Sequence, residues 1–159
     1  NWCGIKTTDD TIECFGDNNQ NVRDGKPAGA FKALYAHRGV MCGIKADDTH
    51  QCWGNHARYG NFYNQIPAGV TYASIAPGGY STCVIRKTDG LRVCYGNLNG
   101  NAVSGVPSID QWKTTGVVQQ NPGLLCGLRA DNRFYCSGAA TFGNWGSAPS
   151  LTRMPQSTL

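Results

Sequence analysis

All eight cysteines of this chain fall in four copies of one short unit, and that unit limits what the chain can become. Its clearest copy is Cys42-Gly43-Ile44-Lys45-Ala46-Asp47-Asp48-Thr49-His50-Gln51-Cys52-Trp53-Gly54-Asn55. It reads as two short strands around an Asp-rich turn, with a cysteine on each arm and Trp-Gly-Asn closing it. Cys3-Gly4-Ile5-Lys6 leads likewise through Asp9-Asp10 to Cys14-Phe15-Gly16-Asp17. Cys83-Val84-Ile85-Arg86 leads through Asp89-Gly90 to Cys94-Tyr95-Gly96-Asn97, and Cys126-Gly127-Leu128-Arg129 through Asp131-Asn132 to Cys136-Ser137-Gly138.

The gaps within the pairs are C-x10-C, C-x9-C, C-x10-C and C-x9-C. Zinc sites bring two cysteines within two to four residues, so these spacings do not build a tetrahedral corner. A hairpin, by contrast, sets such cysteines opposite each other. With Thr8-Asp9 as a two-residue turn, Cys3 stands across from Cys14 at a disulfide-compatible distance. The expected bridges are Cys3–Cys14, Cys42–Cys52, Cys83–Cys94 and Cys126–Cys136. Each closes a loop of about a dozen residues, worth roughly 3 kcal/mol in the chain-entropy model. Bridges this local staple single hairpins, and cohesion between hairpins must come from packing.

The first cysteines stand at 3, 42, 83 and 126, steps of 39, 41 and 43, and prolines stand at 27, 67, 107 and 149. A period near 40 marks propellers and related arrays. Each proline after the first hairpin leads into a short strand with an aromatic residue: Phe31-Lys32-Ala33-Leu34, Tyr72-Ala73-Ser74-Ile75, then Trp112-Lys113-Thr114. Turns at Arg38-Gly39, Gly78-Gly79 and Pro122-Gly123 follow, then the stapled hairpin, then a polar loop to the next proline. Asn21, Asn61, Asn101 and Asn144 recur in those loops, five or six residues before the prolines. Such an Asn either serves a tight turn in a left-handed conformation or faces a ligand once per repeat. Phe15, Trp53 and Tyr95 read as packing between repeats. Ser137 holds the fourth place, with Trp145 as a substitute or a ligand contact.

The blocks Cys-Gly-Ile and Cys-Trp-Gly-Asn resemble the repeat of the regulator of chromosome condensation superfamily, in the secreted, cysteine-bearing form of Crinkly4-type ectodomains. The resemblance covers nearly the whole chain and implies a β-propeller, most often with seven blades. Four repeats depart from that count. The expected fold is all-β, a small propeller-like ring with repeats near 1–27, 28–67, 68–107 and 108–149. Residues 150–159 would complete the first blade, because the chain starts inside a hairpin and Pro149-Ser150-Leu151-Thr152-Arg153-Met154 stands where a first strand belongs. Pairing of the two ends removes exposed edges. A half-ring completed by a second chain, hence a homo-oligomer, and an open arc are the alternatives.

Composition narrows the function. The net charge is +4, but the 14 basic residues are scattered singly, unlike the basic stripe of nucleic-acid binders. No apolar run reaches the ~18–20 residues of a membrane span. No leader is visible, so the numbering is expected to begin after one was removed. Together with the cysteines, this points to a secreted protein in an oxidising compartment. No Asn-x-Ser/Thr sequon occurs among the Asn residues, so N-glycosylation is not expected.

A catalytic set is not apparent. No Gly-x-Ser-x-Gly elbow exists; His37, His50 and His56 read as surface residues without a metal spacing. The aspartates stand at hairpin tips, where Asp serves turns. No D-x-D-x-D-G calcium loop is present. The chain therefore reads as a non-enzyme without cofactor or metal.

What is left is display. The longest loop, Asn55-His56-Ala57-Arg58-Tyr59-Gly60-Asn61-Phe62-Tyr63-Asn64, mixes amides, aromatics and charge. Candidate ligand contacts are Asn55, His56, Arg58, Tyr59 and Asn61, the repeated amides Asn21, Asn101 and Asn144, and Trp145. Sugars suit such surfaces, since C–H faces pack on rings and hydroxyls match amides. The first expectation is a multivalent, lectin-like binder of extracellular glycans. The second is a module that binds an extracellular protein or peptide through the 55–64 loop, with Arg58, Tyr59, Phe62 and Tyr63 as anchors.

Overall fold

The structure is a computed structural model, and it describes residues 2–37, 39–55, 62–78, 81–98, 101–118 and 124–138. For 97–98, 101–109, 116–118, 124–125 and 136–138 the description is limited to the backbone. The strands are β1 (Trp2–Ile5), β2 (Ile12–Phe15), β3 (Phe31–His37), β4 (Val40–Lys45), β5 (His50–Gly54), β6 (Tyr72–Pro77), β7 (Ser81–Arg86), β8 (Leu91–Leu98), β9 (Asn101–Val118), β10 (Leu124–Arg129) and β11 (Phe134–Gly138). One 3-10 turn, Phe62–Gln65, precedes β6. The described elements are thus all-β apart from that turn, as expected. Spatial order follows chain order: β1-β2 pair alone, β3-β4-β5 form a second sheet, and β6 to β11 form a third.

The four hairpins share one register. Cys3 lies opposite Cys14, Cys42 opposite Cys52, Cys83 opposite Cys94 and Cys126 opposite Cys136. The first three pairs are disulfides with Cα atoms 4.1, 4.0 and 4.1 Å apart, and Cys126 is disulfide-bonded as well. The one-residue difference in spacing is absorbed at the tips. In the longer hairpins the Asp10 and Gly90 N–H groups reach back four residues to the Lys6 and Arg86 carbonyls. In the shorter ones Asp48 and Asn132 reach back three, to Lys45 and Arg129. The two-residue Thr8-Asp9 turn is therefore corrected to a four-residue tip, Thr7 to Asp10. Two residues cannot bridge Lys6 and Thr11, which still bond each other at 2.9 Å.

Each tip is held the same way. Asp9, Asp47, Asp89 and Asp131 accept the N–H two residues on, at 3.0–3.1 Å. The next residue adopts a positive φ: Asp10 56°, Asp48 68°, Gly90 69° and Asn132 64°. Short polar side chains and Gly tolerate that conformation. Its carbonyl then serves the following unit. Phe31, Tyr72 and Trp112 donate their N–H to Asp10, Asp48 and Gly90 at 2.8, 3.0 and 2.8 Å.

Those aromatics explain the Gly of Cys-Gly-Ile. A Cβ on Gly43 would lie 2.5 Å from the Phe31 ring, and one on Gly127 2.8 Å from the Trp112 ring. Two cores result. Ile12, Cys14, Val22, Phe31, Met41 and Trp53 join the first two units. Val40, Cys42, Ile44, Ile66, Tyr72, Ile75, Val84, Val93 and Tyr95 join the second and third.

Two further expectations change, and one falls outside the described residues. The polar loop of the third repeat is strand: β8 runs to Leu98, and β9 runs unbroken from Asn101 across Pro107 to Val118. Its first half pairs with β8 and its second half with β10. Trp53 and Tyr95 are buried between units as expected, at 6% and 8% exposure, whereas Phe15 is 61% exposed because no described unit precedes the first hairpin. Last, residues 150–159 lie outside the described residues, so the end-to-end closure is not visible.

Candidate binding surface

The loops that leave β2 and β5 start at the ends of the first two hairpins opposite their Asp tips. The loop after β2 is folded by its own amides. The Asn18 carboxamide oxygen accepts the Arg23 and Asp24 N–H groups, each at 3.1 Å, and its NH2 donates to Asp24 at 2.8 Å. Arg23 bonds Asp24 at 2.7 Å and the Gly16 carbonyl at 3.2 Å. Val22 plugs the loop into the core, 1% exposed, while Asn19, Asn21, Arg23 and Asp24 stay exposed. Arg23 holds the Asp24 carboxyl below its ordinary range. The result is a stiff polar platform over an apolar plug.

The second loop joins that platform at its base. Asn55 is exposed and donates its N–H to the Gln20 carbonyl at 2.7 Å. The chain reaches it through Gly54, whose φ is 92° and whose Cβ would lie 2.3 Å from the Gly39 carbonyl oxygen. On the far side of the loop Tyr63 donates its hydroxyl to the Gly54 carbonyl at 2.7 Å and packs on the core. The Asn55 end is thereby tied to residues 18–25, and the Tyr63 end to Gly54 and the core.

Of the sequence-predicted contacts, Asn21 and Asn55 are brought together through Gln20. Asn21 has a φ of 54°, and its carbonyl accepts the Gly25 N–H at 3.2 Å, so it serves the turn. Asn101 opens β9 opposite Leu98 and belongs to a sheet instead of a loop. Tyr63, expected as an anchor for a partner, is instead tied to Gly54. His56, Arg58, Tyr59, Asn61, Asn144 and Trp145 lie outside the described residues. His50, expected on the surface, is half-buried with its ring edge-on to Tyr72 at 5.1 Å; burial lowers its pKa and raises that of Tyr72 to about 12.

Sequence reasoning missed two features. Trp2 is 82% exposed and stands opposite Phe15 on the open side of the first hairpin. Asp48 holds two lysines, Lys32 of its own unit and Lys87 of the next. The first is invisible without knowing which faces find a neighbour; the second needs the relative placement of two tips. Among the described residues no group of three His, Cys, Asp or Glu stands together as metal ligands. No helix among them is long and apolar enough to cross a membrane.

No protein-family model matches the chain, and no curated protein does. Solved structures do. The entire ectodomain of the Physcomitrella patens receptor kinase CR4 superposes with a TM-score of 0.66 at 24% identity, covering 86% of this chain and 36% of that one. The CRINKLY WD40 ectodomain of the Arabidopsis thaliana receptor kinase ACR4 superposes with a TM-score of 0.65 at 21% identity, covering 86% and 46%. The chain thus spans less than half the length of either ectodomain, and what it shares with them is a β-propeller-like fold.

Proposed function

We propose that this chain is an extracellular, non-enzymatic module that binds a protein partner through the joined 18–25 and 55–64 loops. The observation that carries the reading is the anchoring of both loops to each other and to the core, through Asn55 on Gln20 and Tyr63 on Gly54. Loops positioned by a rigid scaffold are where binding residues are concentrated. Disulfides in the first three hairpins and a bonded Cys126 suit an oxidising compartment, and the neighbours of like fold are ectodomains of receptor kinases. Glycan binding draws less support, since Asn21 serves a turn and Asn101 a strand. The architecture we propose with this function is a ring of four units, residues 150–159 pairing with the first hairpin. In its support, β4, β7 and β10 each have an outer strand and β1 has none among the described residues.

The test is capture by the oxidised, secreted protein from a panel of extracellular proteins, run beside a glycan array. The expected result is a protein ligand lost at least about tenfold in the Arg58→Ala/Tyr59→Ala variant, as for interface anchors, with a blank array. Glycan signals that survive the double substitution, or no captured protein, would overturn the reading.

A further inference from the structure

The second and third units finish their sheets differently. In the third, the side of β8 away from β7 is covered, because residues 101–107, the first half of β9, pair along it. β5 holds the same place in the second unit and pairs with β4 alone among the described residues. The segment that would cover it is used elsewhere. Residues 61–67 end on Pro67 as 101–107 end on Pro107. Yet Phe62–Gln65 winds into the 3-10 turn, the Ile66 N–H bonds the Tyr63 carbonyl at 3.2 Å, and the turn packs on β7 and β8. Ile66 is buried in the core with Tyr72, so this stretch is committed to packing instead of to a ladder.

The register fixes which backbone groups stay open. Cys42 and Cys52 have Cα atoms 4.0 Å apart, the close spacing of a non-hydrogen-bonded antiparallel pair. Gln51 and Trp53 therefore bond β4, and the N–H and C=O groups of His50, Cys52 and Gly54 point the other way. The Tyr63 hydroxyl takes the Gly54 carbonyl at 2.7 Å, which marks one end of the open stretch. His50 and Cys52 remain, half-buried, on either side of the exposed Gln51. Proteins blunt such edges with shortness, charge, proline or a bulge. β2 is only four residues long and carries Glu13. β5 has five residues, none of them Lys, Arg, Asp, Glu or Pro, in unbroken register with β4.

We propose that the open edge of β5 takes an extended segment of the protein partner as an added strand, hydrogen-bonded to His50 and Cys52. This rests on the protein-binding reading above and supplies its mode. Strand addition draws affinity from main-chain bonds and specificity from alternate side chains. The chain itself shows what fits the equivalent edge of β8: Ala102, Val103, Ser104, Gly105 and Val106, all uncharged and small or β-branched. Side chains of an added strand alternate between two faces. One is the face of Gln51 and Trp53, turned to the first unit's core, and the other is the face of His50, turned to Tyr72. Asn55, just past the edge, holds the 18–25 platform through the Gln20 carbonyl, so a strand running along β5 leads to both loops. A separate partner is favoured over a second copy, because the chain's own matching segment is already paired with β8.

The probe is a library of displayed random peptides, each the length of residues 101–107, selected on the oxidised full chain. The selected peptides should be uncharged and should slow hydrogen exchange of the His50 and Cys52 amides at least about tenfold. The Ile75 and Val84 amides report an intact fold. N-methylation along a bound peptide should abolish binding at every second residue, since only alternate N–H groups face β5. Binding that tolerates N-methylation throughout, or that protects only residues 18–25 and Asn55, would overturn strand addition and leave loop recognition standing. Failure to select any peptide on a chain that still captures its protein partner would do the same. Peptides that protect the edge of a chain that captures no extracellular protein would sink the partner reading and keep only the edge. Protection of His50 and Cys52 in the free chain that fades on dilution would assign the edge to a second copy and overturn the proposal.

Discussion

Trp53 donates its indole N–H to the carbonyl of Val22 at 2.9 Å, a buried bond that ties the second unit to the loop leaving the first. The ring fills the core on the same side, 6.3 Å from Phe31. Trp53→Phe keeps most of the apolar volume but leaves the Val22 carbonyl without its donor, at a cost of about 1–3 kcal/mol. Trp53→Ala adds a cavity and should cost about 3–5 kcal/mol. Denaturant unfolding of the two variants separates the bond from the packing.

Gly43 has no room for a methyl group, because the Phe31 ring occupies it. Gly43→Ala should destabilise by about 1–3 kcal/mol through overpacking. Phe31→Leu in the same chain should recover part of that loss, since residues in contact couple. A double-mutant cycle on melting midpoints checks this, and strict additivity would mean the clash is relieved elsewhere.

His50 makes stability depend on pH below neutrality. Burial, reinforced by the Lys45 charge, lowers its pKa from 6.5, and its Nδ1 is buried without a hydrogen-bond partner. The unfolded imidazole then binds protons more readily than the folded one. Stability is present in full above about pH 6.5 and falls as the pH drops towards the lower folded value. The tip aspartates Asp9 and Asp47, also lowered but from 3.8, act only in a more acidic range. His50→Phe should flatten the melting midpoint between pH 7.5 and 5; an unchanged slope would place the titration elsewhere.

Asp48 links two units through Lys32 and Lys87. Its side chain is 19% exposed, but both lysines are largely in water, so the pairs are worth only about 0.2–1 kcal/mol each. Asp48→Asn preserves the tolerance of positive φ and removes the charge. The expected loss is small at low salt and vanishes at ~1 M salt, where the Debye length falls to about 3 Å. Urea titrations at the two salt concentrations measure it.

Local chemistry was legible in the chain. Cysteine pairing followed from spacing, and the Asp tips followed from the affinity of that side chain for its own backbone, because a hairpin of a dozen residues satisfies itself. The Asn21 turn belongs to the same class. Its positive φ and the bond to Gly25 involve only residues of one loop.

Where a fact depends on what stands next to a hairpin, the sequence was silent or misleading. Phe15 and Trp53 occupy the same register position beside the second cysteine; one is open to solvent and the other buried, because only the second hairpin has a described unit packed on that face. His50 is half-buried because Tyr72 arrives from the next unit, and Asp48 binds Lys87 for the same reason. Residues 101–107, expected as loop, become strand where β8 offers an edge. Composition and spacing determine the hairpin, since its hydrogen bonds close within it. Burial, edge pairing and the meeting of the 18–25 and 55–64 loops are decided by the tertiary structure, since each needs a surface that another part of the chain supplies.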